Sequence, residues 1–263
     1  MTRKNTKNTV KETYAPVKTI LISQPVPSRG NPYLDLEKKY DLKIDYRPFI
    51  HVEGLTAKEF REQRVYIDEH TAFVFLSRTA IEHFFRMVKE MRLRVDPDWR
   101  YFCANEAVAS YIKKFTKMRK RKVFVGERSI RDIEKYILRF KDEKFLFPKS
   151  NITTDAIPNY FRELGVEVTE ALMYRSVPSD LSDLRDIFYD ILVFYSPLEL
   201  ESLYSNFPDF AQNKTRIAVF GEKTKAAAEA HGLFVNIAAP TPKFRSMTMA
   251  IEDYIKKTLE KNK

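Results

Sequence analysis

The chain has 263 residues, of which 44% are hydrophobic and 13% aromatic, and it carries a net charge of +10. This composition can fill two cores of about 100–150 residues and is not that of a disordered chain. No apolar run approaches the roughly 18 residues of a membrane span. Met1–Asn8 has no apolar segment, and the one cysteine, Cys103, excludes an intramolecular disulfide or a Cys-rich zinc site.

Residues 1–16 are polar and basic, with Arg3, Lys4, Lys7 and Lys11 against Glu12, and read as a disordered tail. Thr19–Ile22 is a short apolar run suited to a buried parallel strand. Pro25, Pro27, Gly30 and Pro32 form a stiff loop, followed by a helix over Leu34–Tyr40 and an extended segment near Lys43–Ile50. Strands are expected at 72–76, 101–104, 122–125 and 144–147, each followed by a helix (80–91, 107–115, 130–140 and 155–164). Val166–Tyr174 is extended. Strand–helix pairs then recur at 191–195 with 198–204, 216–220 with 223–230, and 233–237 with 247–259.

The chain also repeats itself. Leu21-Ile22 and Leu36–Ile44 recur as Phe145-Leu146 and Tyr160–Val168. Ala72–Ser77 recurs as Ile191–Ser196, and Tyr101–Asn105 as Ile217–Gly221. Asp132–Ile137 echoes Ile251–Ile255. Alternating strands and helices imply parallel sheets covered on both faces. The order of the repeats implies two interleaved α/β domains from an internal duplication, each doubly wound. The expected boundaries are 17–48 plus 175–263 for one and 49–174 for the other. The segments near Lys43–Ile50 and Val166–Tyr174 join them as paired extended connectors, with a ligand cleft between the halves.

Chemistry-bearing residues are sparse. Ser196-Pro-Leu-Glu199 is a capping box with Pro at the first helical position, sufficient in itself to start a helix. The same geometry presents free N–H groups to an anion at a strand's carboxyl end. Ser77, with Arg78 beside it, is the equivalent position in the other half. Gly221-Glu-Lys-Thr224 is either a simple turn or a close backbone approach to a ligand, with Thr224 as a donor; its spacing is not that of a phosphate loop. Lys149 follows another strand end and reads equally as a solvated lysine or a carboxylate ligand. Tyr174 reads first as a packed aromatic. Lys113–Lys122 holds seven cations and no acid. It joins a helix C-terminus to a strand start, where cations suit the dipole, and reads as a solvated surface. The four histidines show no metal-ligand spacing. Cys103 lies within a strand as an inert core residue.

This ordered set of motifs resembles the uroporphyrinogen-III synthase family over roughly residues 18–255. The carriers are Phe75-Leu-Ser77, Phe194-Tyr-Ser196-Pro197, Gly221-Glu-Lys-Thr224, Met173-Tyr174-Arg175 and Pro240-Thr241 through Met249-Ala250-Ile251. There are two departures. Ser23-Gln24-Pro25 stands for an opening Thr-Arg-Pro and loses a cation. Asn105-Glu-Ala-Val108 stands for a first Gly-x-x-Thr and loses a hydroxyl.

The resemblance implies cyclisation of hydroxymethylbilane, a linear tetrapyrrole with eight carboxylates, with loss of water and inversion of ring D. It implies no metal and no organic cofactor. It points to Ser23, Ser77, Arg78, Lys149, Ser196, Gly221 and Thr224 as substrate-binding. It makes Tyr174 the proton donor to the departing hydroxyl, a role open to an ordinary phenol, which is protonated at neutral pH. A monomeric, cytoplasmic enzyme without a membrane or nucleic-acid partner is expected. Two alternatives stand beside it: a non-catalytic relative that binds a tetrapyrrole or another polyanion, and a nucleic-acid-binding module using the basic tail and Lys113–Lys122.

Overall fold

The structure, a computed structural model, describes residues 12, 14–28 and 30–262. In chain order the elements are β1 (Thr19–Ile22), α1 (Leu34–Tyr40), β2 (Lys43–Tyr46), β3 (Ile50–Gly54) and α2 (Ala57–Glu62). There follow β4 (Ala72–Phe75), α3 (Arg78–Glu90), β5 (Arg100–Cys103), α4 (Glu106–Tyr111), β6 (Val123–Val125) and α5 (Glu134–Arg139). Next come β7 (Phe145–Ser150), α6 (Ala156–Glu163) and β8 (Val168–Pro178). The chain closes with β9 (Ile191–Phe194), α7 (Pro197–Asn206), β10 (Arg216–Phe220), α8 (Glu222–Ala230), β11 (Val235–Ala239) and α9 (Met247–Lys261). Among the described residues no helix is long and apolar enough to cross a membrane.

Two compact units result. The described residues up to His51 and those from Val177 onward form unit 1; Val52–Ser176 forms unit 2. Unit 1 holds a five-stranded sheet in the order β11-β10-β9-β1-β2, and β3-β8-β7-β4-β5-β6 is the second sheet. The pairs β1–β2, β1–β9, β9–β10 and β10–β11 are parallel, as are β4–β5, β4–β7, β5–β6 and β7–β8. The fold is therefore mixed α/β with two parallel-dominated sheets. Written from the other edge, unit 1 runs β2-β1-β9-β10-β11 and unit 2 β8-β7-β4-β5-β6, with the repeated segments at the same ranks.

Burial explains why these runs become strands. Ala72–Phe75 and Ile191–Phe194 are buried at every position, as apolar runs must be when helices cover both faces of a sheet. In unit 1 one core packs Leu36 of α1 and Ile251 of α9 against Ile20 and Val193. The other packs Leu200 of α7 and Ala228 of α8 against Leu21 and Leu192. In unit 2, α3 and α4 supply Phe84 and Val108 to one face, while Ile137 of α5 and Phe161 of α6 supply the other.

The segments expected as paired extended connectors contain strands. Lys43–Tyr46 pairs residue for residue with β1, and the Val168–Tyr174 part of β8 pairs with β7. The expected boundary at 174/175 therefore falls inside β8. Backbone N–H and C=O groups beside a sheet edge gain hydrogen bonds by joining it. β3 was not expected at all. It runs against β8, flanked by the bonds Ser179 N to Phe49 O (2.8 Å) and Leu55 N to Met173 O (3.0 Å).

The last residues of the expected disordered tail are held in unit 1. Glu12 accepts from Tyr254 Oη at 2.6 Å and from Asn236 Nδ2 at 3.0 Å. The carbonyls of Ala15 and Pro16 accept from Arg216, which is 2% exposed. A buried guanidinium needs acceptors, and the tail backbone provides two of them for Nη2 while Lys214 O accepts from Nη1. Arg3, Lys4, Lys7 and Lys11 lie outside the described residues.

Gly126, at the end of β6, is a close-approach position. An added Cβ would stand 2.0 Å from Ser129 O and 2.8 Å from Ala104 O, both backbone atoms that cannot swing aside. Gly126→Ala is expected to destabilise the fold by about 2 kcal/mol. Chemical denaturation would measure it, and an unchanged midpoint would show that this turn shifts freely.

Candidate functional site

In a doubly wound sheet the ligand crevice opens at the carboxyl ends of the two strands where the winding reverses. The strand orders put that point between β1 and β9 in unit 1, and between β7 and β4 in unit 2. Ser23 follows β1, and Tyr195-Ser196 follows β9; Lys149 is the penultimate residue of β7, and Ser77 follows β4. Four of the expected site residues thus sit at the two switch points.

In unit 1 the crevice is organised by a residue given only a capping role above. Glu199, in the first turn of α7 and 2% exposed, turns its carboxylate back to the strand ends. Its Oε2 accepts from Ser23 Oγ at 2.5 Å, Tyr195 N at 2.6 Å and Ser196 N at 3.3 Å. The α7 N-terminus is therefore already filled by the chain's own carboxylate. Burial raises the Glu199 pKa, with the hydrogen bonds from Ser23, Tyr195 and Ser196 acting against it. Ser23, expected to bind substrate, is 2% exposed and its hydroxyl donates to Glu199. The Ser196 hydroxyl, by contrast, is buried with no hydrogen-bond partner.

Two further tyrosines were missed. The hydroxyls of Tyr33 and Tyr195 hydrogen-bond to each other, and Tyr33 is 4% exposed. Burial pushes both phenols above their ordinary range. Tyr46 donates to Asn31 Oδ1 at 2.7 Å, and its ring meets Tyr33 edge-on. Nothing in the sequence marks Tyr33 as a neighbour of Tyr195, because the loop before α1 meets the end of β9 only through sheet pairing.

At the next strand end, Gly221 begins α8 with φ +88°, a conformation that favours glycine, and its N–H donates to Ala239 O at 2.7 Å. It makes the turn. Thr224, expected as a donor to the ligand, is 2% exposed.

In unit 2, Ser77 caps α3, its Oγ accepting from Ala80 N at 3.1 Å. The third helical residue here is Ala80, so this helix start has no internal carboxylate like that of Glu199. Arg78 is exposed; its Nε donates to Ala107 O at 3.3 Å, and its guanidinium lies 5.7 Å from the centre of the Tyr111 ring. Asn105, standing where the first Gly-x-x-Thr was expected, caps α4 by accepting from Val108 N at 3.0 Å. The lost Gly and Thr thus leave the helix start intact. Lys149 is not a free cation: its Nζ is bonded to Glu170 and lies 4.0 Å from Asp155. It reaches a substrate only by exchanging these partners.

Tyr174 lies on β8, paired in register with Ser150 of β7, and is half-buried. Its ring stacks on His83 with centroids 4.9 Å apart and planes at 16°. Burial, and then Arg86, hold His83 below its ordinary pKa, so the stacking partner is neutral at neutral pH. Arg86 in turn donates to Leu55 O at 2.8 Å and to Glu90 at 2.6 Å. The aromatic reading of Tyr174 is thus accurate, and the same packing fixes its ring.

The profile of the family described as uroporphyrinogen-III synthase HemD matches residues 36–249. The chain belongs to the uroporphyrinogen-III synthase family. That family comprises cyclising hydro-lyases of haem biosynthesis that act on a small polycarboxylate tetrapyrrole. The uroporphyrinogen-III synthetase of Helicobacter pylori 26695 is similar in fold, with a TM-score of 0.53 at 13% identity, over 91% of this chain and 99% of that one. A mutant uroporphyrinogen III synthase of the extremely thermophilic bacterium Thermus thermophilus matches at 16% identity over 93% and 99% of the two chains, with a TM-score of 0.45. The wild-type protein from that organism gives 0.41 at 16% identity and the same coverage. No curated protein matches the chain.

Proposed function

We propose that this chain converts hydroxymethylbilane to uroporphyrinogen III by the family's reaction, with unit 2 supplying the carboxylate-binding groups and Tyr174 the acid. The match to the family across residues 36–249 carries this reading. Ser77 and Arg78 stand at a helix start with no internal carboxylate, so a substrate carboxylate there meets free N–H groups and an exposed guanidinium. Lys149 joins them when a substrate carboxylate displaces Glu170. Ser23, Ser196, Gly221 and Thr224 of unit 1 belong to the same proposed substrate-binding set, Ser196 with its unpartnered hydroxyl and Gly221 with its backbone turn. Tyr174 donates its proton to the departing hydroxyl, which leaves as water; a ring D carbon attacks the resulting azafulvenium to give a spiro intermediate, whose reorganisation inverts ring D and releases a proton that restores the Tyr174 phenol. Closure without inversion is chemically easy, so the enzyme's main contribution is to hold the reacting ends in the other geometry. No cofactor enters this scheme.

The reading includes an internal duplication, supported by the matching strand order of the two sheets. It also takes the protein to be a cytoplasmic monomer. Cys103 is buried in β5 with its thiol pushed up to about 12 by burial, which makes it an inert core residue.

Isomer analysis tests the function directly. Hydroxymethylbilane is generated in situ, the purified protein added, and the oxidised products resolved. An excess of uroporphyrin III over the protein-free control is expected. Isomer I alone, from folded protein, would remove the enzymatic reading and leave a tetrapyrrole-binding one.

A further inference from the structure

We propose that unit 2 carries a second binding site, at the β6 edge of its sheet, for a small amphipathic oligoanion: a rigid apolar body bearing two or three carboxylate or phosphate groups. The site is made by the cation run Lys113–Lys122, which the proposed catalytic reading does not use. Within that run the structure separates the cations by what they do. Arg119 and Lys122 both reach Asp98, at 3.5 and 3.1 Å. Lys114 lies over the Tyr111 ring, 4.4 Å from its centre. Lys113, Lys117 and Lys120 instead line one cavity of about 540 Å³.

The rest of that cavity explains why solvent alone is a poor occupant. Its apolar wall is Ala109 of α4, Met118, and Val123 and Val125 of β6. Two hydroxyls, Ser110 and Thr116, also face it. The one acid in the lining, Glu106, already accepts from Ser110 Oγ at 2.8 Å. Among the described residues no carboxylate pairs with Lys113, Lys117 or Lys120. Three uncompensated ammonium groups around a low-dielectric wall repel each other and focus a positive potential on the cavity. A bare inorganic anion would answer the charge and leave the apolar wall wet. A neutral apolar molecule would cover the wall and leave the repulsion. An amphipathic oligoanion satisfies both, and the volume is that of an ordinary small-molecule site. β6 is the last strand of its sheet, so the occupant would also cover an otherwise open edge.

The test uses the full chain and hydroxypyrene trisulfonate, a fluorescent probe with a fused apolar body and three fixed negative charges. Saturable binding is expected, displaced by benzene tricarboxylate and weakened by salt. The triple variant Lys113→Ala, Lys117→Ala, Lys120→Ala should bind about tenfold to a hundredfold more weakly. A variant lacking the same number of cations on α9, at Lys256, Lys257 and Lys261, should bind like the parent. Turnover of hydroxymethylbilane by the Lys113/Lys117/Lys120 variant should be unchanged. Equal probe affinity in parent and triple variant would overturn the proposal. So would equally tight binding of neutral pyrenemethanol, or a loss of turnover in step with the loss of probe binding. Because the probe titration does not depend on catalysis, it stands apart from the isomer analysis.

Discussion

Glu199→Ala should destabilise the protein by about 3 kcal/mol, because three donors lose their common acceptor inside the fold. The hydroxyl of Ser23 and the amides of Tyr195 and Ser196 all converge on Glu199 Oε2, and both Glu199 and Ser23 are 2% exposed. Water has no ready access to replace the carboxylate. Glu199→Gln keeps an oxygen in place and should cost about 1 kcal/mol. Denaturant midpoints for the two variants measure the difference, and equal, small losses would mean that the strand ends repack without the carboxylate.

The same residue predicts a pH signature. Burial raises the folded pKa of Glu199 above its ordinary 4.5. Between 4.5 and that raised value the folded state holds a proton that the unfolded state has released. Stability from this group is therefore full below 4.5 and is lost as pH rises through the folded pKa. Glu59 and Glu252 behave oppositely: hydrogen bonds from Arg175 and Lys39 hold them at about 2, so their contribution is lost only as pH falls from 4.5 toward 2. The gap in stability between the parent and Glu199→Gln should consequently shrink as pH rises above 4.5. A gap independent of pH would show that Glu199 titrates normally.

Tyr174→Phe should lower kcat by about a hundredfold and leave KM within about twofold. Phenylalanine keeps the ring that stacks on His83, so the change removes a proton donor and little packing. The carboxylate contacts assigned to Ser77 and Arg78 are untouched, which is why binding should persist. Thermal denaturation of the variant separates a lost proton from a lost fold. Full kcat would end the acid role of Tyr174; a raised KM with unchanged kcat would make it a binding group instead.

How far each feature could be read depended on the range of the interaction behind it. β1 at Thr19–Ile22 and α1 at Leu34–Tyr40 have the bounds their patterns predict, since an apolar run between Pro- and Gly-rich loops is a local signal. The starts of α3 and α7 are equally local, because Ser77 accepts from the Ala80 amide and Glu199 from the Ser196 amide, each three residues away. β3 left no such trace. Ile50-His-Val-Glu-Gly54 is almost wholly exposed and is a strand only because β8 lies beside it. The chain-order argument that made Lys43–Ile50 and Val166–Tyr174 extended segments did not show that they pair with β1 and β7.

Strand–helix alternation and family membership were written in the order of the residues, because both rest on patterns that neighbours in the chain create. Which polar groups remain available to a ligand was not. Ser23 meets Glu199, Lys149 meets Glu170, and Tyr33 meets Tyr195 across long stretches of chain, once sheet order has brought their strands together. The first two pairings occupy groups assigned to the substrate and the third was not anticipated, and only the packed sheets could reveal them.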